Sequence, residues 1–208
     1  MDFADLCDTD PYLDKCKPIK TWWNKLPHWE QEKKIQFITF RLNDSLPQNL
    51  IERLLRIKNN FITIHPLPWN EKVKNLFYKN FSAKYEEYLN AGYGCCAFRN
   101  PDIRKILDDV LRFYDNRKYE LLRYVIMPNH VHCLVHLLKN YEVSVIFQSI
   151  KRFTAKEIKN KHNLDIGFSK NWDRIIRDQG HLNSCIEYIN NNPLILKGNE
   201  FTLGGMLK

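Results

Sequence analysis

Alternating apolar and polar positions predict three strands in this chain. Residues 34–42, 118–127 and 130–138 are rich in β-branched and aromatic side chains, which favour extended backbone. The first stretch is apolar on both sides, so we expect a strand buried on both faces. Only Pro128-Asn129 separates the other two, and this spacing predicts an antiparallel hairpin.

Apolar residues spaced three and four apart predict helices between and after these strands. Residues 43–94 contain two such patterns and form a predicted helical insertion after the first strand. Further helices are predicted over about 101–114, 143–160 and 179–192, the last stopped by Pro193. Residues between 161 and 178 are predicted to be a loop. This order of elements predicts an α+β fold, with helices on one face of an antiparallel sheet.

Length and composition indicate one main domain with additions. We expect an N-terminal Trp-rich arm over residues 1–34, the main domain over 35–198 with its insertion, and a C-terminal tail over 199–208. No apolar run approaches the roughly 18 residues of a membrane span, and the N-terminus is unlike a signal peptide. We therefore expect a cytoplasmic protein without a membrane partner. The six cysteines form no CxxC pair and are expected to be reduced thiols.

The basic residues are concentrated in one part of the chain. The net charge is +8. The segment from Lys139 to Arg177 contains nine basic residues and four acidic ones. Such a concentration indicates a phosphate-binding surface, although a solvated helix face has the same composition. The candidate DNA-binding residues in this span are Lys151, Arg152, Lys156, Arg174 and Arg177.

Two pairs of polar residues have the spacing of a reactive site. His130 and His132 project to one face of their strand, and two imidazoles can hold a divalent ion if a third ligand is available. In the last predicted helix, Tyr188 and Asn192 lie four residues apart on the flank of the apolar stripe. They border the core and could face a site together.

These residues lie in motifs that resemble a known family. Met127-Pro-Asn-His-Val-His132 and Tyr188-Ile-Asn-Asn-Asn-Pro193 are similar to those of the single-tyrosine HUH, or IS200-like, transposases. The similarity is to the branch of REP-associated tyrosine transposases. Further similar stretches are Ile38-Thr-Phe-Arg-Leu-Asn-Asp-Ser-Leu-Pro47 and Trp172-Asp-Arg-Ile-Ile-Arg-Asp178, so the resemblance spans about residues 35–198.

The resemblance implies a ferredoxin-like HUH sheet and a specific chemistry. His130, His132 and Asn192 would hold Mg²⁺ or Mn²⁺, which polarises a scissile DNA phosphate. Tyr188 would attack the phosphorus and stay bound to the 5′-phosphate. Lys151 and Lys156 are candidates to support the phenolate. The implied partner is single-stranded DNA carrying palindromic hairpins, bound by a monomer or a homodimer.

Two other functions remain open on the sequence. A metal-dependent phosphodiesterase would use an activated water in place of Tyr188. A domesticated, non-catalytic protein on the same scaffold would bind hairpin DNA without cutting it. A change of Tyr188 to Phe separates these alternatives from a tyrosine transposase.

Overall fold

The fold is built on an antiparallel sheet of five strands. A computed structural model describes residues 10–14, 16, 20–23, 27–66, 68–138, 141–196 and 198–207. The strands of the large sheet are β3 (Ile35–Arg41), β4 (Tyr119–Ile126), β5 (His130–Leu137), β6 (Trp172–Ile175) and β7 (Thr202–Gly204). Their order is β6-β3-β5-β4-β7, and every neighbouring pair is antiparallel. A separate two-stranded sheet contains β1 (Lys20–Trp23) and β2 (Pro27–Glu30).

Five helices belong to this part of the chain. They are α1 (Gln48–Ile64), α2 (Glu71–Asn90), α3 (Pro101–Tyr114), α4 (Val143–His162) and α5 (Gln179–Asn191). Their starts follow local capping chemistry: the side chains of Asn70, Asn100 and Asp178 accept hydrogen bonds from the first turns of α2, α3 and α5. No helix in the described ranges is long and apolar enough to cross a membrane. The cytoplasmic location stays a prediction.

The two faces of the sheet are covered by different helices. One core lies between the sheet and helices α3 and α4, and it contains Val131, Cys133 and Val135 of β5. The other lies between the sheet and α5, and it contains Leu134 of β5 and Leu182 of α5. The prediction of an α+β fold is confirmed. The prediction that the helices lie on one face of the sheet was wrong. Both faces of the central strands are buried, so each face has a cover.

Helices α1 and α2 form a hairpin with a small core of its own. Their aromatic side chains pack together and against Trp172 of β6, in a cluster that includes Phe77, Phe81 and Tyr85. We call residues 48–90 the α1–α2 hairpin. It confirms the helical character predicted for the insertion.

The two outer strands of the large sheet were not predicted. Residues 172–175 were predicted to be loop, but they form β6 and pair with β3. Residues 202–204, in the predicted tail, form β7 and pair with β4. Each is only three or four residues long, too short for alternation to stand out from chance. Partner strands supply the hydrogen bonds that define them.

The N-terminal residues contact the main sheet where they are described. The backbone N–H of Ile35 donates to Pro11 O, and that of Leu13 donates to Ile176 O, both at 2.9 Å. Tyr12 is buried in the core beneath α5. This agrees with the predicted packing of the arm. The side chains of Trp22, Trp23 and Trp29 lie outside the described residues.

Candidate metal and nucleophile site

His130 and His132 lie next to each other on β5 and are buried. Their ring centroids are 4.9 Å apart, and their exposed fractions are 1% and 0%. Strand alternation places both on the sheet face that α5 covers. The predicted common direction of the two side chains is therefore observed.

Neighbouring side chains orient both imidazole rings. His132 Nδ1 lies 2.8 Å from Thr39 Oγ1, and Thr39 is its cross-strand partner on β3. His130 Nδ1 lies 2.7 Å from Asn129 Oδ1. An amide oxygen only accepts, so His130 carries its proton on Nδ1 and presents a lone pair at Nε2. Such outer hydrogen bonds commonly fix the tautomer of metal-binding histidines.

Asn129 has its own orientation fixed by the end of α2. Its Nδ2 donates to Leu89 O at 3.3 Å and to Tyr93 O at 3.1 Å. Both partners are carbonyls and only accept, so the amide cannot be reversed without losing two hydrogen bonds. The turn between β4 and β5 thus connects His130 to the α1–α2 hairpin.

Tyr188 reaches the histidine pair from α5 of the same chain. Its Oη lies 3.3 Å from His132 Nε2, and its ring is edge-on to those of His132 and Phe37. Burial, and then the negative charge of Glu86, raise the pKa of Tyr188 well above its usual value. The phenol is therefore protonated at neutral pH.

Glu86 is the site residue that the sequence did not reveal. It projects from α2, and its Oε2 lies 3.5 Å from His132 Nε2. Burial disfavours its charged form, but the neighbouring His132 and His130 outweigh burial and lower the pKa of Glu86 to about 2. The carboxylate is therefore ionised at neutral pH. The sequence feature that could have indicated Glu86 is its position beside the apolar stripe of α2, between Tyr85 and Leu89.

Asn192 follows α5 in a 3₁₀ turn and is buried. It lies close enough to His130 and Tyr188 to influence the pKa of each. Its Oδ1 has no hydrogen-bond partner among the described residues. The structure therefore brings together all four predicted residues, His130, His132, Tyr188 and Asn192.

The atoms in this site have the chemistry of a divalent-ion site. The ligand atoms of Glu86, His130 and His132 all lie within 4.8 Å of one another. Glu86 Oε2, His130 Nε2 and Asn192 Oδ1 are buried without a hydrogen-bond partner in the described residues. Burial lowers the pKa of His130 to about 3, so its imidazole is neutral and able to bind a metal. The residues present therefore fit a divalent ion with nitrogen and oxygen ligands.

Comparison with known proteins agrees with this arrangement. Residues 96–192, which include both histidines, Tyr188 and Asn192, match the family model described as "Transposase IS200 like". These residues are similar to the IS200-like transposases, and the match covers slightly less than half of the chain. The match begins at residue 96, after the end of α2, so Glu86 lies outside it.

No curated protein matches the chain by sequence. A solved structure of a REP-associated tyrosine transposase bound to a REP hairpin is similar, with 16% identity and a TM-score of 0.45. The similarity covers 83% of this chain and 73% of that chain. Assignment of the chain to the REP-associated branch stays a prediction.

Arg174 is the predicted DNA-binding residue that lies at this site. It projects from β6 on the same face as Phe37, its cross-strand partner, with its guanidinium 4.7 Å from the Phe37 ring centroid. Arg174 lines a pocket with Phe37, Glu86, Trp172 and Tyr188. Its positive charge opposes the rise in the pKa of Tyr188. Arg177 is exposed, just before α5.

The other three basic candidates project from α4, which packs on the opposite face of the sheet. Arg152 and Lys156 are exposed. Lys151 is partly buried, and its Nζ donates to Ser169 O and to Asn171 Oδ1, both at 2.9 Å. Burial lowers the pKa of Lys151 to about 8. These side chains are separated from Tyr188 by the sheet, so none of the observed contacts supports the suggested role of Lys151 or Lys156 at the phenol.

Proposed function

We propose that the protein is a metal-dependent, single-stranded DNA transposase or nickase that uses Tyr188 as its nucleophile. The observation that carries the proposal is the approach of Tyr188 Oη to 3.3 Å from His132 Nε2, within one chain. An IS200-like family match over these residues supports a DNA-processing role. The substrate would be DNA with palindromic hairpins, as the resemblance of the motifs implies.

His130, His132 and Asn192 would hold the ion, Mg²⁺ or Mn²⁺. When bound, a divalent ion supplies positive charge that polarises a scissile phosphate. The hydrogen bonds from Thr39 and Asn129 keep both imidazoles aimed at that position. They reduce the conformational freedom that binding would otherwise have to remove.

Tyr188 would carry the covalent step. Its Oη would form a bond to phosphorus as the P–O3′ bond breaks. The phenol loses its proton, and the released 3′-oxygen gains one, so the products are a 5′-phosphotyrosine and a 3′-hydroxyl. The reverse reaction with another 3′-hydroxyl rejoins DNA without ATP, since the phosphotyrosine conserves the phosphodiester bond.

Arg174 would assist by its charge. It lines the same pocket as Tyr188, where a guanidinium can pair with phosphate oxygens through two hydrogen bonds. Its charge also favours the phenolate over the phenol. Arg177 would contact the DNA backbone nearby, while Lys151, Arg152 and Lys156 would contact DNA only where a strand extends around the sheet to α4.

The test is adduct formation on a hairpin-bearing oligonucleotide in the presence of Mn²⁺ or Mg²⁺, read on a denaturing gel. The wild-type protein should form a covalent protein–DNA adduct, and Tyr188→Phe should abolish it because no oxygen remains to attack phosphorus. Tyr93→Phe is a matched control, since the Tyr93 side chain is exposed away from the buried pair, and it should form the adduct normally.

Other outcomes would contradict the proposal. Cleavage that survives Tyr188→Phe without a trapped intermediate would indicate a phosphodiesterase that uses water. Hairpin binding by the wild-type protein without any ion-dependent cleavage would indicate a non-catalytic DNA-binding protein.

A further inference from the structure

The α1–α2 hairpin borders the site through Glu86 and through the packing of Trp172 on its aromatic side chains. It has its own aromatic core with Trp172, and this core is separate from those on the two faces of the sheet. Near the histidines, Asn129 Nδ2 donates a hydrogen bond to Leu89 O at the end of α2. Glu86 lies one turn before Leu89 on α2, at the same end of the helix.

The Glu86 carboxylate is buried beside the histidine pair. Its Oε2 is buried and has no hydrogen-bond partner in the described part of the chain. The ion-pair partner found there within 4 Å is His132, at 3.5 Å from Nε2 to Oε2. Burial of a charged carboxylate is costly unless it is paired or binds a metal. Glu86 therefore places a buried carboxylate oxygen beside the two imidazoles, within the reach of one ion.

We propose that Glu86 is a ligand of the divalent ion, so that ion binding fastens the α1–α2 hairpin to β5. The inference rests on the metal dependence in the proposed function but not on the chemistry of Tyr188. A carboxylate from α2 and two imidazoles from β5 then share one ion. Ion binding then connects a helix and a strand through ligand residues that are 44 or more positions apart in the chain.

Glu86, His130 and His132 together also predict which metal ion is preferred. Two imidazoles with a carboxylate suit first-row transition ions such as Mn²⁺. Mg²⁺ prefers oxygen ligands and keeps several of its waters. We therefore expect tighter binding of Mn²⁺ than of Mg²⁺ in the absence of DNA.

The first measurement is the affinity of the full chain for Mn²⁺ without DNA. The electron paramagnetic resonance signal of the free ion reports how much Mn²⁺ stays unbound. Loss of a direct ligand should weaken binding at least as much as loss of an outer hydrogen bond, so Glu86→Gln should cost roughly tenfold or more. Glu87→Gln is the matched control. Glu87 is the next residue, and its exposed carboxylate pairs with Lys84 at 2.7 Å, so this change should leave the affinity unchanged.

The second measurement is amide hydrogen exchange over residues 79–90 of α2. In the wild-type protein and in Glu87→Gln, Mn²⁺ should slow exchange in this segment, and in Glu86→Gln it should not. The wild-type comparison needs no variant, so it remains decisive if Glu86→Gln fails to fold.

The inference is overturned if folded Glu86→Gln binds Mn²⁺ as tightly as the wild-type protein. It is also overturned if Mn²⁺ binds to the wild-type protein but leaves exchange over residues 79–90 unchanged. Wild-type protein that binds no Mn²⁺ would overturn it together with the metal dependence. If both measurements give the expected results but no DNA adduct forms, the inference stands and the proposed function fails.

Discussion

The two faces of β5 are equally buried but chemically different. On the α4 face, Val131, Cys133, Val135 and Leu137 form a continuous apolar surface. On the α5 face, His130, His132 and His136 replace most of that apolar surface, with Leu134 between them. Every residue of the strand is buried. The strand thus holds a hydrophobic core on one side and a cluster of polar groups on the other.

The difference lies in how the unpaired polar atoms of the two faces are arranged. Buried polar atoms are usually hydrogen-bonded, and each exception costs stability. On the α5 face His130 Nε2, Glu86 Oε2 and Asn192 Oδ1 lack partners among the described residues, and they converge on one place. The α4 face has such exceptions as well, at the Gln36 amide and the Thr154 hydroxyl. There they accompany an apolar core, whereas on the α5 face they lie in a cluster of metal-ligating groups. We infer that the α4 face contributes mainly to stability and that the polar atoms of the α5 face serve its function.

The largest expected effect tests the stabilising role of the α4 face. Phe147 is fully buried on α4 and contacts Phe40 and Tyr119. Phe147→Ala should lower the free energy of unfolding by about 3–5 kcal/mol through lost burial and the cavity left behind. Denaturant titration measures the change, and folded protein should keep its affinity for Mn²⁺.

Phe153→Ala is the control for this prediction. Phe153 lies on the same helix but is 52% exposed, so its loss should change stability by no more than about 0.5 kcal/mol. Equal losses in the two variants, or a loss of ion affinity in folded Phe147→Ala, would contradict the division between the faces.

A smaller effect is expected from the hydrogen bond that orients His132. Thr39→Val keeps the shape of the side chain but removes the Oγ1 partner of His132 Nδ1. The ring loses its orientation, so the affinity for Mn²⁺ should fall about 10–100-fold. Titration calorimetry of the folded variant measures it.

Thr154→Val makes the same chemical change on the α4 face. The Thr154 hydroxyl is buried and has no hydrogen-bond partner in the described ranges, so its removal should leave ion affinity unchanged and stability equal or higher. A similar affinity in both variants would show that Thr39 does not position His132.

The smallest effect is a dependence of stability on pH. Burial lowers the pKa of His130 from 6.5 to about 3, so below pH 6.5 the unfolded chain binds a proton that the native protein does not. Stability therefore falls as pH decreases, by up to about 1.4 kcal/mol per pH unit from this one group. Ion-free protein should show this decline between pH 6.5 and 5 in denaturant titrations.

The contribution of His130 is obtained as a difference between proteins. His181 has a pKa lowered to about 4, mainly by burial, and it contributes a slope of the same sign. His130→Asn should remove the contribution of His130 to the slope of unfolding free energy against pH. The contribution of His181 should stay. An identical slope in wild type and variant would mean that His130 is protonated in the native protein.

The local elements were predictable because local geometry encodes them. Alternation along β3 and β5, the turn at Pro128-Asn129 and the cap at Asn100 all depend on residues a few positions apart. The short strands β6 and β7 were missed, since their definition comes from pairing with β3 and β4. The position of α5 on the second sheet face was missed for a similar reason. An apolar stripe shows that a helix packs, but it does not show on which face of a sheet.

The sequence by itself determined that His130 and His132 share a strand face, that Tyr188 and Asn192 share a helix flank, and that their motifs resemble IS200-like transposases. Only the tertiary structure decided that Tyr188 reaches His132 of its own chain, that Arg174 is the nearby cation and that Glu86 joins the histidines. The spacing of residues on one element follows from covalent geometry and hydrogen bonding. Contacts between distant elements depend on how whole faces pack, and no local pattern records that.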